Sequence, residues 1–396
     1  MGLKRKRYFF ALIIAALSIK LGIFAYAAFY APQLRMENDS PSYLKPAEML
    51  ARTGSFIGSG ADGVLKYDTW RTPGYPLFLA VFHYLLKLPL GGIIFLQVFL
   101  TVLAALFTYR AAIAIDPKLG LLSAVIVLFD LPITIFSLMI LTEALFLFLI
   151  ALFLLGFTFY LKEGRIKFII LSALTLAASA YVRPAAYYLG GVMAAFIVYA
   201  NLRKQEKLSR GLIHALIFFT LVYGPLGLWQ ARNYLRTGDV AFSSIIQSNL
   251  LAGEPIGLLH SYSRNHDPYT QGMAPAPYYA NVTVRCFLSL MTRPGSLKYL
   301  GSQALTAAGK TFGYPWMVFW VIGLLAGIVR MRGNLYYQSM LVVILYFISA
   351  SIINVMWLVC ERLRIPMMPF IAIIAAYGWT ALLRAIFYCS IVQKEA

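Results

Sequence analysis

The most constraining feature of this chain is a succession of apolar runs, each close to the length a helix needs to cross a bilayer. A span takes about twenty mainly apolar residues. The runs are Tyr8–Tyr30, Ile93–Ile115, Leu119–Leu138, Glu143–Leu161, Phe168–Val182, Ala185–Leu202, Leu212–Leu235, Phe312–Val329, Leu335–Cys360 and Ile365–Tyr388. The fifth and sixth are separated only by Arg183 and Pro184. In hydrocarbon every backbone polar group must be satisfied within its own segment or a closed barrel. Runs of this length therefore predict an all-α polytopic membrane protein of roughly ten transmembrane helices, a single transmembrane domain over residues 1–396. Composition agrees: 61% of the residues are hydrophobic and only 12% are charged. A soluble domain carries roughly a quarter charged residues, so this chain cannot coat a water-facing surface. Lys4, Arg5, Lys6 and Arg7 lead into an apolar run too long for a signal-peptide core, with no distinct cleavage site, so it reads as a retained first span.

Two stretches interrupt the pattern. Residues 31–92 read as a structured first outer loop with juxtamembrane helices, and residues 237–311 as a long outer loop. Within the first, Tyr75–Leu88 is apolar but only about fourteen residues long, which suits an interfacial or re-entrant segment. Lys87, Pro89, Gly91 and Gly92 close it. With that segment excluded from the spans, the N-terminal basic cluster, Lys118, the Lys162–Lys167 loop, the Arg203–Arg210 loop and Arg330 with Arg332 share one side. The positive-inside rule makes that side cytoplasmic. The formal charge of +19, from 34 Lys and Arg against 15 Asp and Glu, is thus explained by orientation and lipid phosphates. No nucleic-acid-binding motif is present. Cys286, Cys360 and Cys389 have no metal-ligand spacing and suggest no disulfide framework.

This topology gathers Asp39, Arg71, Glu143, Arg183, Arg232, Glu361, Arg362 and Arg364 on the opposite, outer face. Asp39 precedes Ser40-Pro41-Ser42, a helix start in which Ser40 or Ser42 is the candidate cap. A carboxylate there is favoured in its ionised form and is a candidate general base. Pro46 is expected to shorten or kink that helix, and Gly54 to end it. Arg71, in Trp70-Arg71-Thr72-Pro73-Gly74-Tyr75-Pro76, has the forked donors that suit a lipid phosphate. Glu143 opens a span, where a carboxylate is electrostatically favoured. Arg183 interrupts a hydrophobic stretch and needs water, an acid or a phosphate. Glu361 and Arg364 are spaced to meet on one helical face, leaving Arg362 for an anion. Trp229-Gln230-Ala231-Arg232-Asn233 is a weaker signal of the same kind. His260, His266 and Asp267 have metal-like composition at a spacing common by chance, and Asn281-Val282-Thr283 matches the glycosylation sequon. A divalent metal is possible but unsupported, and no other cofactor is called for.

The sequence resembles the GT-C superfamily of polyprenyl-phosphate-sugar glycosyltransferases. The nearest branch is the bacterial one related to protein O-mannosyltransferases and lipid A aminoarabinose transferases. The first resemblance lies in Asp39-Ser40-Pro41-Ser42-Tyr43, Ala47-Glu48-Met49-Leu50-Ala51-Arg52-Thr53-Gly54 and Arg71-Thr72-Pro73-Gly74-Tyr75-Pro76-Leu77-Phe78-Leu79-Ala80. It continues in Thr142-Glu143-Ala144-Leu145, Arg183-Pro184, Trp229 with Arg232-Asn233-Tyr234, and Glu361-Arg362-Leu363-Arg364-Ile365-Pro366. The resemblance implies a GT-C-like fold in a cell inner (plasma) membrane, with the active site on the periplasmic or extracellular face. It implies Asp39 as the base, and Arg71, Arg183, Arg362 and Arg364 on the lipid phosphate. Tyr43, Tyr75, Glu143, Arg232 and Glu361 are expected to position donor or acceptor.

Two departures from the family stand out. Many relatives have a second acid where this chain has Ser40, and many carry a soluble C-terminal domain where this chain stops at Ala396. Acceptor handling is then expected from residues 237–311 or from partners. The expected partners are a polyprenyl-phosphate sugar, membrane lipid, and a glycan, glycolipid or protein acceptor. The rival class is a transporter or flippase of a lipid-linked sugar or other anionic lipid. Transporters place ionisable groups near the midplane, often at broken helices, whereas Asp130 is the main exception to the charge-free spans here. A scaffold subunit of an envelope-polymer assembly is a third class, and it needs no Asp39.

Overall fold

A computed structural model describes residues 3–30, 35–59, 64–245, 275–293, 303–331, 333–355 and 361–395. Among these residues eight helices are long and apolar enough to cross a membrane, or nine if one bent pair counts as a single span. The protein is therefore a multi-pass membrane protein. The helices are α1 (Leu3–Tyr30), α2 (Ser40–Thr53), α3 (Gly74–Leu79), α4 (Leu90–Ile115), α5 (Gly120–Leu128), α6 (Leu131–Ser137) and α7 (Glu143–Glu163). They continue as α8 (Ile166–Val182), α9 (Leu189–Arg203), α10 (Leu208–Thr237), α11 (Pro275–Thr292), α12 (Gln303–Arg330), α13 (Leu335–Val355) and α14 (Met368–Glu395). The roughly ten spans expected thus become eight or nine, and the run expected at Phe168–Val182 is the shorter α8, of 17 residues.

Burial orders the bundle. The span at α7 is 67% buried and the one at Glu361–Ile386 is 72% buried, against 11% for α1. So α7 and α14 form the central columns and α1 lies at the edge. Helix α7 packs between α4 and α8, while α14 packs between α12 and α5. The α12–α14 contact is backbone to backbone: a Cβ on Gly378 would run into the Gly323 carbonyl. Small residues at such a crossing let two helices approach closely enough for dispersion contacts to hold them without a hydrophobic driving force.

The third apolar run, expected as one span over Leu119–Leu138, is broken. Helices α5 and α6 meet at Phe129–Asp130 with their axes bent by 50°. Asp130 is extended (φ −66°, ψ 125°) and its Oδ1 accepts the Ile133 N–H at 3.1 Å. An Asp cap with Pro132 in the first turn restarts a helix in a new direction.

The first loop carries regular structure over residues 35–59 and 64–85. Helix α2 buries Ser40, Tyr43, Pro46 and Ala47 on one face and ends at Gly54 in the left-handed region (φ 67°). Pro46 does not shorten it. The ring is buried in the packed face, and the helix continues to Thr53 although Pro46 offers no N–H to the Ser42 carbonyl. Strands β1 (Ile57–Ser59) and β2 (Leu65–Tyr67) pair antiparallel. Helix α3 runs into a π-helical turn over Ala80–Leu85, and Gly74–Leu85 is too short to span, in line with the reading of Tyr75–Leu88.

Candidate active site

The site forms where the first loop meets the ends of α7, α8 and the 3-10 segment Glu361–Met367. Asp39 occupies the N-cap of α2. Its side chain makes no cap bond, and neither expected serine caps through the helix N–H groups. Ser40 Oγ accepts the Glu37 N–H at 2.9 Å and donates to the Ile140 carbonyl at 2.9 Å, while Ser42 Oγ donates to the Asp39 carbonyl. The Asp39 carboxylate is thereby left to face other elements.

Arg71 is brought to Asp39 by its own turn. Asp68 Oδ1 accepts the Trp70 and Arg71 N–H groups at 2.7 and 3.1 Å. Gly74 then seats the chain against α8. A Cβ there would lie 2.6 Å from the Tyr181 backbone, so only glycine permits the approach. From this position the Arg71 guanidinium donates to three groups on α2: Ser42 Oγ at 2.9 Å, Tyr43 Oη at 3.0 Å and Asp39 Oδ1 at 2.7 Å. It also lies 4.4 Å from the Tyr43 ring centre.

Glu143 comes from the other side, in the first turn of α7. The segment before it is held by Gln97, whose Nε2 donates to the Ser137 and Met139 carbonyls at 3.1 and 2.5 Å. Tyr75 Oη donates to Gln97 Oε1 at 2.6 Å, so Tyr75 supports the site from behind. Glu143 is 1% exposed. Its Oε1 accepts Arg183 Nη1 at 2.6 Å and also Arg362 Nε, and Arg362 Nη1 reaches Asp39 Oδ2 at 3.2 Å. Arg362 thus bridges the two carboxylates.

Five charged groups from distant parts of the chain therefore converge: Asp39, Arg71, Glu143, Arg183 and Arg362. The Asp39 side chain is 39% exposed against 18% for Arg183 and Arg362, so it is the most open to a ligand. Burial works against its charged form, but the charge and hydrogen bonds of Arg71 and Arg362 outweigh it. They hold the carboxyl below the usual carboxylate range. A folded value below the unfolded one makes the stability from Asp39 complete above about pH 4 and lost as pH falls through the lower folded value. Burial pushes the Tyr43 hydroxyl up, which keeps it neutral beside Arg71.

The remaining candidates do other work. Arg232 braces the first loop on α10. It donates to the Asp68 carbonyl at 3.1 Å and the Phe56 carbonyl at 2.8 Å, and lies 4.6 Å from the Trp229 ring centre. The expected division between Arg362 and Arg364 is corrected. Arg362 is paired, and Arg364 is 1% exposed with its own partners. Arg364 Nη1 donates to the Leu290 and Arg293 carbonyls at 2.6 and 3.1 Å, and its Nη2 lies 3.8 Å from Asp130 Oδ2. Buried Glu361 acts on Arg364 electrostatically, after Asp130. The segment is a 3-10 helix containing Pro366, so α-helical spacing did not describe it. Lys20, also 1% exposed, lies within electrostatic reach of Asp130. It was hidden in an apolar run, where one interior lysine was the only signal.

The donor set does not fit a divalent cation. Asp39 and Glu143 both face guanidiniums, and no group of three His, Cys, Asp or Glu occurs among the described residues. His260, His266 and Asp267 lie outside the described residues.

No protein-family model matches the sequence, and no curated protein matches it. Solved structures do match. The apo oligosaccharyltransferase of Archaeoglobus fulgidus superposes with a TM-score of 0.60 at 13% identity, covering 100% of this chain and 53% of that one. The archaeal oligosaccharyltransferase AglB from Archaeoglobus fulgidus, in complex with an inhibitory peptide and a dolichol-phosphate, gives 0.58 at 12%, covering 100% and 52%. The Archaeoglobus fulgidus oligosaccharyltransferase tethered through a disulfide to an acceptor peptide containing the NVT sequon gives 0.56 at 14%, covering 96% and 50%. The chain spans about half the length of these proteins. At such identities the likeness is one of fold, and the fold is an all-α, polytopic membrane fold of the GT-C type.

Proposed function

We propose that this protein is an integral membrane glycosyltransferase that moves a sugar from a polyprenyl-phosphate donor to a hydroxyl acceptor on the outer face of the membrane. The observation that carries this reading is an accessible carboxylate, Asp39, set beside a partly open guanidinium, Arg362, which shares Glu143 with a second one, Arg183. The reaction is a single inverting displacement. Asp39 takes the proton of the acceptor hydroxyl as that oxygen bonds to the anomeric carbon. The bond from that carbon to the phosphate oxygen breaks, and its electron pair leaves with the polyprenyl phosphate. Fixed cations placed where that charge develops stabilise the transition state more than the ground state.

Within this reading Arg71 holds Asp39, since each of its three guanidinium nitrogens already bonds α2. The phosphate falls to Arg183 and Arg362. Among the structural neighbours, one binds a dolichol-phosphate and one carries an acceptor peptide. The first supports a lipid-phosphate donor, and the second makes a protein one of the acceptors to test, with glycan and glycolipid. Membership of the bacterial branch rests on the short sequence motifs alone, those of the first loop and those at Thr142-Glu143, Arg183-Pro184, Trp229 with Arg232-Asn233-Tyr234, and Glu361-Arg362-Leu363-Arg364-Ile365-Pro366.

One observation favours the transporter reading: the break at Asp130, with Lys20 and Arg364 buried near it. Broken helices with ionisable residues do mark transport sites. Asp130 and Arg364 are, however, only 1% exposed, and Asp130 caps α6, which suits a closed structural cluster.

Binding of polyprenyl phosphate to the purified protein in nanodiscs tests the phosphate site. Arg183→Gln and Arg362→Gln are each expected to weaken it about tenfold, the scale of one charged hydrogen bond. Unchanged binding in both variants would remove these arginines from the donor.

A further inference from the structure

The cluster contains three guanidiniums and two carboxylates, and one guanidinium is shared. Arg71 belongs to Asp39 and is tied to Ser42 and Tyr43 as well. Arg183 belongs to Glu143. Arg362 bonds both acids at once. It is therefore the one arginine whose departure leaves each carboxylate with a partner of its own, Asp39 with Arg71 and Glu143 with Arg183. Removal of Arg71 would break the bonds to α2. Removal of Arg183 would leave Arg362 alone between an open acid and a buried one.

The ion pairs point the same way. In this set three guanidiniums share two carboxylates, so an added phosphate can draw on Arg362, the cation whose departure leaves both acids paired.

We infer that Arg362 is a relay, which the donor phosphate draws away from Asp39 and which thereby releases Asp39 to act as the base. The inference rests on the lipid-phosphate reading proposed above. With both guanidiniums in place Asp39 is ionised but a weak proton acceptor, its carboxyl being held below the ordinary range. Transfer of Arg362 to the phosphate leaves Asp39 with one cation instead of two, and its proton affinity rises. The base becomes competent only when a donor is bound, so donor binding precedes activation of the acceptor. Among the described residues, the charged and titratable groups facing Asp39 are Tyr43 on α2, Arg71 before α3 and Arg362, with Glu143 and Arg183 joined to it through Arg362 and Asp68 through the Arg71 turn. Arg362 is the only one of them whose bond to Asp39 changes in this scheme.

The test is the infrared titration of the Asp39 carboxyl, identified as the band lost in Asp39→Asn, in phosphatidylcholine nanodiscs with and without polyprenyl monophosphate. In the wild-type protein, bound lipid is expected to raise the midpoint by about one pH unit, a tenfold change in proton affinity. In Arg362→Gln the midpoint is expected to be high already without lipid, and lipid held by Arg183 adds little. Arg362→Lys keeps the charge, but one ammonium cannot match the planar fork across two carboxylates. It is expected to show a smaller lipid-induced rise than the wild type, and it serves if the Gln variant does not fold.

An equal rise in Arg362→Gln would assign the effect to the charge of the phosphate itself and overturn the relay. Bound lipid with no change at Asp39 in the wild type would overturn it too, and would leave the donor assignment standing. Failure of the wild-type protein to bind polyprenyl phosphate would remove the donor assignment and the relay together. Inorganic phosphate at the same concentration is expected to leave the midpoint unmoved, and an equal rise with it would transfer the site from a lipid to a soluble phosphate.

Discussion

Asp39→Asn is expected to lower sugar transfer by about a hundredfold to ten-thousandfold, the usual worth of a positioned general base. The amide is close to the carboxylate in shape, and its oxygen still accepts a bond from Arg71 or Arg362, so the protein should fold. It cannot take the acceptor proton. The substitution also removes one of the two negative charges in the cluster, leaving three guanidiniums against Glu143 alone. Polyprenyl-phosphate binding is therefore expected to hold or tighten while turnover falls. Transfer rates and donor affinity measured on the same preparation separate these effects. A variant that transfers sugar at the wild-type rate would remove Asp39 from the chemistry, and one that loses both binding and turnover would make it a structural residue.

Asp130→Ala is expected to give the largest loss of stability, about 3–5 kcal/mol. Asp130 is 1% exposed, and the cations it compensates, Arg364 and Lys20, are each 1% exposed. Breaking a buried pair from one side strands a charge whose desolvation is no longer offset. The same side chain caps α6 at the 50° bend, so the helix start is weakened as well. Asp130→Asn keeps an oxygen for the Ile133 N–H and should lose less. Thermal unfolding of the purified protein in detergent orders the three forms as wild type, Asn, then Ala. An Ala variant as stable as wild type would mean that Arg364 is satisfied by the Leu290 and Arg293 carbonyls alone.

Much of this was legible in the sequence because hydrocarbon permits few solutions. Apolar run length located the spans, and the short length of Tyr75–Leu88 separated it from them. Side-of-membrane reasoning brought Asp39, Arg71, Glu143, Arg183 and Arg362 together before any contact was known, and they do form one cluster. Reading failed where a residue's partner is distant in the chain. Helical spacing paired Glu361 with Arg364 and left Arg362 open. Asp130, more than two hundred positions away, lies 3.8 Å from Arg364 as well, and Arg362 is the one bridging two acids. Pro46 was expected to shorten or kink α2, yet the helix runs on to Thr53 with Pro46 in its buried face. Gln97 lies inside an apolar helix and gave no sign of holding two carbonyls behind Glu143.

The most direct measurement places the purified protein in liposomes with radiolabelled polyprenyl-phosphate sugars and an envelope glycan extract, and follows the label in wild type and Asp39→Asn. Label appearing in a new glycosylated product with the wild type, and not with Asp39→Asn, is the expected result. Label that only crosses the bilayer, equally in both proteins and with no new product, would contradict it and make the cluster a transport site.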